Sequence, residues 1–573
     1  MIKHGIFSIL IIISSYLNAQ VIPPERQVNW SDALLSYQFE VPINEVNVMD
    51  FGATGNGTTN DQPAVMNAIA SLNGGLGYIY FPPGNYLFNG TVSLPDSAIL
   101  KGFSSEASVL KFNFSGASNN CITMSGAATS VFVRIDTGYI KGNNWIVTDS
   151  AFLFNSGDYA EIIENNGTWN DKYADWALNS VGQIVKVDHR NNDTLFLKSP
   201  LRITYDSLLI PRIRKFNPLV NAGVECLKIM RLDSSAAGAN IVISLAANCH
   251  VRGIESDKSV SAHVDIFQST RILVEGSYFH HAFDYDGGSK RGYGVILNSH
   301  SGECLVTNNI FRFLRHAMMV KTGANGNVFS YNYSREVNRS EPISNYGGDI
   351  SLHGHYAYAN LFEGNIVQNI MIDHAWGPSG PYNTFFRNRA ELYGIIFTAG
   401  DTTHSNSQHI VGNDINYFLG QYTITGTGHI QHGNNHKGTI KPPGTGTLND
   451  TSYYLTDEPV FWSVSNSWPS LGIPNVLGAG TNPARYRWAN PASGLTICPL
   501  RRNWTGSSGT NWDDPHNWQP YGVPDEAVEV TIPTSVTNDP QIPAGTIHRI
   551  RSITIGQDSE VKLLNGATLR IIR

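Results

Sequence analysis

Charge is scarce in this 573-residue chain, where Asp, Glu, Lys and Arg together make up only 15%. That excludes a coiled coil or solvated helical bundle, and a hydrophobic content of 41% excludes a disordered chain. A basic excess is also missing: 39 Lys and Arg against 46 Asp and Glu leave a net charge of −7. No broad nucleic-acid surface follows from that balance, although a local basic groove is compatible with it. Cysteine is sparse and odd in number, at five, which is no disulfide framework. Cys121, Cys226, Cys249 and Cys304 are expected to fill the core as small apolar groups. One pair stays open to bridging in an oxidising compartment. Long apolar runs are absent too. The run Ile6 to Ile13 is too short to span a membrane. With Lys3 and His4 before it and Leu17-Asn18-Ala19 after it, it reads as a signal peptide cleaved after Ala19. The mature chain is therefore expected outside the cell, released or held at its surface, with no membrane span.

Glycine is abundant, at 54 residues, and fits many short strands joined by tight turns. After a leader over 20–45, Val46 to Phe51 enters the turn Gly52-Ala53-Thr54-Gly55-Asn56-Gly57, and a helix follows. Asp61 is placed to cap it, Pro63 lies in its first turn, Ala64, Val65, Ala68, Ile69 and Leu72 give its inner face, and Gly74-Gly75 ends it. Tyr78-Ile79-Tyr80-Phe81-Pro82-Pro83-Gly84-Asn85-Tyr86 is the next strand and turn. The runs DFGATGNGTTND and GYIYFPPGNYL around this helix resemble the N-terminal segment of the pectate-lyase-like superfamily, with its rhamnogalacturonases and polygalacturonase-like proteins. The superfamily's usual acidic pair is Asn60-Asp61 here. The resemblance is specific over about 46–115 and implies an all-β fold: a right-handed parallel β-helix over 46–440, opened by this cap. It carries no catalytic motif.

Residues 145–215 interrupt the coils with antiparallel patterns, notably 157–162, 181–187 and 194–197 around the turn Asn191-Asn192-Asp193, and read as a small inserted β subdomain. Repeats follow, each an apolar strand, then Asn, then a bend, with Asn309, Asn332, Asn365, Asn388 and Asn413 at the shared place and Ser277 in an earlier copy. Asn there fits a ladder, because stacked amides bond along the axis and Asn tolerates the bend. Two long intervals place insertions near 280–291 and 335–346, where a repeat scaffold tends to build its binding face. Beyond 440 the period fades into a connecting region over 441–502. A C-terminal β accessory module over 503–573 follows. Its Trp504, Trp512 and Trp518 either form a small core or stack on sugar rings.

Histidine points to chemistry. Of the 18 in the chain, ten lie between His263 and His409. One strand column, read across coils, stacks Asn298/His300, Lys321, His353/His355, Asp373/His374 and Thr398 on one face. Elimination at a uronic acid needs a cation near the carboxylate, a base for the C5 proton and an acid for the leaving oxygen. Hydrolysis needs two carboxylates. The column offers Lys321, His353, His355, Asp349, Asp373 and His374 as catalytic candidates. His300, Arg291, Arg315, His316, Arg335, Arg339 and Trp376 are candidates for binding an acidic or sulfated polysaccharide. The loops add Asp284, Asp286, Glu336 and Glu341. His429, His432 and His436 have metal-like spacing without a metalloprotease motif. No metal is assigned to them, and calcium stays open as a cofactor elsewhere in the groove. The expected function is a secreted polysaccharide-degrading enzyme, leaning to a lyase, acting as a monomer. A glycoside hydrolase and a non-catalytic glycan-binding surface protein are the alternatives.

Overall fold

The computed structural model describes residues 20–571 other than 38, 40, 43, 130, 286–290, 339–346, 401–402, 463, 520–521 and 527. The expected signal peptide, Arg339, Asp286 and Glu341 lie outside the described residues.

Short strands wind around three faces, and each pairs in parallel with its counterpart one coil further on. The first face is a 12-stranded sheet from Asn44–Asn47 to Ile430–His432. The second holds Glu255–Ser259, Tyr278–Ala282, Ile310–Arg312 and Tyr333–Arg335, stacked in that order. The third holds Ala262–Phe267, Tyr293–Asn298, His316–Val320 and Ile350–Leu352. Strands Ile366–Ile372 and Arg389–Phe397 are long enough to turn the corner between these two faces. The fold is a right-handed parallel β-helix.

Its core follows from alternation with a period of two. Val295 and Leu297 point inward and meet Met318 and Val320, then Ile350 and Leu352, then Ile370 and Ile372. Phe329, Phe362 and Phe385 stack in register, with ring centroids 5.0 and 5.3 Å apart. Like residues repeat because each coil presents the same slot to the next. The amide ladder is present. Each Nδ2 donates to the next Oδ1, from Asn309 through Asn332, Asn365, Asn388 and Asn413 to Asn434, at 2.9 to 3.1 Å. Ser277 donates its backbone N–H to Asn309 at 3.0 Å, so the earlier copy sits at the ladder's end. A second ladder, not read from the sequence, runs through Asn327, Asn360, Asn383 and Gln408 at another corner.

The opening helix is Gln62–Ser71, with Pro63 in its first turn. Asp61 precedes it but makes no side-chain cap bond. Its carboxylate instead accepts the N–H groups of Thr54 and Gly55 and so closes the glycine-rich turn. The antiparallel insertion has strands Tyr159–Ile163, Gly182–Asn191, Thr194–Leu197 and Arg212–Asn217. It begins at Ala127–Ala128, before residue 145, because that strand pairs with Arg212–Asn217.

One cysteine expectation changes. Cys226 is bridged to Cys498, while Cys121, Cys249 and Cys304 are buried and free. Cys226 lies at a corner of a coil, where its sulfur meets the segment before the C-terminal module. That module buries Trp504, Trp512 and Trp518 in its own core, which leaves them no face for a sugar. Its sheet starts before residue 503, with strand Leu500–Trp504 paired to Val528–Ile532, and docks through buried ion pairs: Arg501 reaches Glu225 at 2.8 Å and Glu529 at 3.1 Å, and Arg551 pairs with Glu275.

The connecting region packs on the first face, where Ser452 and Tyr453 donate to the Glu363 carboxylate. Burial pushes the Glu363 pKa up to about 7 from 4.5. The folded chain thus holds a proton that the unfolded chain releases between those values, and stability falls as pH rises through that window. Glu363→Gln removes the effect. The variant should gain on the parent in thermal midpoint between about pH 5 and about pH 8; an unchanged difference would contradict the assignment. Among the described residues, no helix is long and apolar enough to cross a membrane.

Candidate functional site

The third face carries the site. In each strand the residue after the last inward apolar side chain faces out: Asn298 after Leu297, Lys321 after Val320, His353 after Leu352, Asp373 after Ile372 and Thr398 after Phe397. Strand pairing sets Leu297, Val320, Leu352, Ile372 and Phe397 in one row, so the outward residues form the next. Neighbours in such a row stand about 4.8 Å apart.

His353 Nδ1 lies 2.6 Å from Asp373 Oδ2. The carboxylate accepts the Nδ1–H, which leaves the Nε2 lone pair as the basic position. Burial opposes the charge on Asp373, but His353 outweighs it and holds the carboxyl below its usual range. Lys321 is one strand away. Burial lowers its pKa, Asp265 opposes that shift, and the charge of Arg291 adds to it. Asp265 accepts a bond from Asn298 Nδ2 at 2.7 Å, and burial raises its pKa.

An aromatic wall stands beside the row. Trp176, from the insertion, lies 5.0 Å from Lys321 Nζ and edge-on to Trp376 at 5.4 Å. Both indoles are partly exposed, at 52% and 38%. His355 sits beneath them, 4.8 Å from Trp176, and its two ring nitrogens are buried without a protein partner. Burial, followed by the charges of Lys321 and His353, pushes its pKa down to about 4. His355 is thus a neutral, buried imidazole beneath the two tryptophans.

Several expected members stand elsewhere. His300, His355 and His374 lie beyond the strand ends, in the turns, and not in the row. His300 is buried under the insertion, bonded to Glu161 at 2.7 Å and to the Asn179 carbonyl at 2.8 Å. His374 is held by Asp171 at 2.9 Å and Thr403 at 3.0 Å. Asp349 leaves the candidate column: it is buried at the corner between the second and third faces. Ser334 and the backbone of Gln368 occupy its oxygens, and burial raises its pKa to about 6. His316 donates to the Gly348 carbonyl at 2.9 Å and packs 5.6 Å from the His353 ring. Burial, then His353 and Arg315, pushes its pKa down to about 3. Arg315 is itself buried. Arg335 belongs to the second face, paired with Glu336 at 2.9 Å and lying over Trp488. His429, His432 and His436 donate to three separate carbonyls, of Thr425, Thr447 and Gly420, and do not converge.

Sequence reasoning missed Asp265, Trp176 and Asp171. Asp265 had a signal, since Val264 and Ile266 alternate around it. Trp176 and Asp171 had none, because only the docking of the insertion carries them to Lys321 and His374 on the third face.

A family model described as rhamnogalacturonase A/epimerase, pectate lyase-like, matches residues 45–206. A second, a domain of unknown function, matches residues 503–573. No curated protein matches the sequence. Among solved structures, the tailspike protein gp49 from Pseudomonas phage LKA1 is similar, with a TM-score of 0.51 and 12% identity over 92% of this chain and 78% of that one. The Pseudomonas phage phi297 tailspike gp61 gives a TM-score of 0.50 and 13% identity over 91% and 77%. At such identities the likeness is one of fold. Over residues 45–206 the chain matches a pectate-lyase-like family model, and with these tailspikes it shares the right-handed parallel β-helix fold.

Proposed function

We propose that this protein is a secreted polysaccharide lyase that cleaves an acidic glycan by β-elimination in the third-face groove. The observation that carries the reading is the His353–Asp373 pair at 2.6 Å beside Lys321. Lys321, aided by Arg291, neutralises the uronate carboxylate and lowers the cost of removing the C5 proton. His353 Nε2 takes that proton while Asp373 fixes the tautomer and stabilises the imidazolium. The C5–H pair becomes the C4–C5 double bond, the C4–O4 bond breaks, and the leaving oxygen takes a proton from water. Trp176 and Trp376 stack on neighbouring sugar rings. Calcium, left open above, has no step in this scheme.

Hydrolysis is the weaker reading because it needs two carboxylates within about 5–10 Å. Among the described residues of the row Asp373 stands alone, and Asp171, the carboxylate that the insertion brings beside it, is taken up by His374 and Thr403. Asp265 is four strands away on the same face, or about 19 Å at about 4.8 Å per strand.

Incubation with a panel of uronic-acid polysaccharides should give rising ultraviolet absorbance from unsaturated uronate ends. Lys321→Ala should cut kcat/KM by about 10²–10³-fold. Reducing ends without absorbance would replace the lyase with a hydrolase. Glycan binding without either product would make the groove an adhesive surface.

A further inference from the structure

On the second face, one wall away from the groove, three potential ligands converge. Asp257 pairs in register with His280 on the next coil, and His281 follows directly. One ligand atom from each lies within 4.8 Å of the others. His280 Nδ1 is 2.8 Å from His281 Nδ1 and 3.5 Å from Asp257 Oδ1. Ligand atoms about 2.0–2.1 Å from a tetrahedral ion stand about 3.3 Å apart, so these separations bracket what such an ion needs.

The surroundings orient the set. His280 Nε2 lies 3.0 Å from Glu255 Oε1, and the carboxylate can only accept there. A neutral His280 therefore keeps its Nδ1 lone pair, directed at His281 Nδ1 and at the Asp257 carboxylate. A His281 Nδ1–H can donate to that lone pair, and once His281 gives up that proton a cation can take its place between the ligands. A carboxylate on the far nitrogen of a metal-binding histidine is the usual outer-shell arrangement. Lys228 bonds Glu255 at 2.7 Å and stands 3.9 Å from Asp257, so it neutralises the outer carboxylate. Tyr278 stacks on the His280 ring at 4.3 Å. His281 has a left-handed backbone, at φ +59°, and its carbonyl accepts from His263 Nε2 at 3.0 Å. That bond fixes the turn and aims the second imidazole back at the first.

We propose that Asp257, His280 and His281 form a transition-metal site that clamps two adjacent coils, with zinc the best match. Two imidazoles and one carboxylate favour zinc over calcium or magnesium, which take oxygen ligands. Water completes the coordination. The site is separate from the groove and rests on no assumption about the reaction there.

The test is calorimetric titration of the metal-stripped full-length protein with zinc chloride, and with cobalt(II), whose visible bands report nitrogen and oxygen ligation. One saturable zinc per chain is expected. Asp257→Asn, which keeps the side-chain shape, and His281→Ala should each weaken it by at least about tenfold, and Glu255→Gln by about 10–100-fold. Circular dichroism confirms that each variant is folded. The assignment is overturned if no saturable one-to-one binding occurs, or if folded Asp257→Asn and His281→Ala bind zinc as the parent does.

Discussion

His353→Ala should lower kcat by about 10²–10⁴-fold on a uronic-acid substrate while leaving the fold and glycan binding in place. The expectation rests on His353 being the histidine of the row, with Nδ1 held by a carboxylate 2.6 Å away and Nε2 left as the basic position. Asp373→Asn should cost nearly as much. An amide can present its N–H to Nδ1, which leaves the proton on Nε2, where the lone pair is needed. Because the two residues act as a unit, the double variant should be little worse than His353→Ala alone. His316 differs: it is buried and neutral, and it packs against the base without reaching the groove. Steady-state kinetics on the three variants decide the matter. If His353→Ala keeps the parent kcat, another group removes the proton and the scheme fails.

The largest effect on stability is expected from Asn365→Leu, a change of similar volume. Asn365 Oδ1 accepts both the backbone and the side-chain N–H of Asn332, at 3.0 Å each. Its own Nδ2 donates to the Phe329 carbonyl and to Asn388, at 2.9 Å each. Leucine would strand these buried partners, and each unsatisfied group costs about 1–3 kcal/mol. Some relax toward other acceptors, so a loss of about 3–5 kcal/mol is expected from urea unfolding. Asn434→Leu should cost less, because Asn434 ends the run and no further asparagine accepts from it. A loss below about 1 kcal/mol for Asn365→Leu would mean that the ladder contributes register rather than stability.

The fold was legible because its signals are local. Asparagine at a recurring place, apolar residues alternating with a period of two, and the N-terminal cap all follow from what one coil must offer the next. The row from Asn298 to Thr398 was legible for the same reason. Asp349 and His300 were misread where the period stops. At Asp349 the chain is turning a corner, and the side chain folds inward to hold the backbone of Gln368. His300 is past its strand, in a turn with φ +66°. No pattern in the coils announces that a distant insertion bonds there. Trp176 was invisible for the same reason, being brought to Lys321 by tertiary docking alone.

The junction with the C-terminal module has a consequence for the order of synthesis. Glu275 is met by the Tyr37 hydroxyl at 2.9 Å and by Arg551, two residues 514 positions apart. From the N-terminus the coils can wind before Arg501 and Arg551 reach them. Until then Glu225 keeps His250, and Glu275 keeps Arg252 and Tyr37, without the further arginines from the C-terminal strands. Vectorial folding therefore reaches its final state only when the last strands arrive, and a nascent chain stopped before residue 501 should expose this wall of the helix to chaperones.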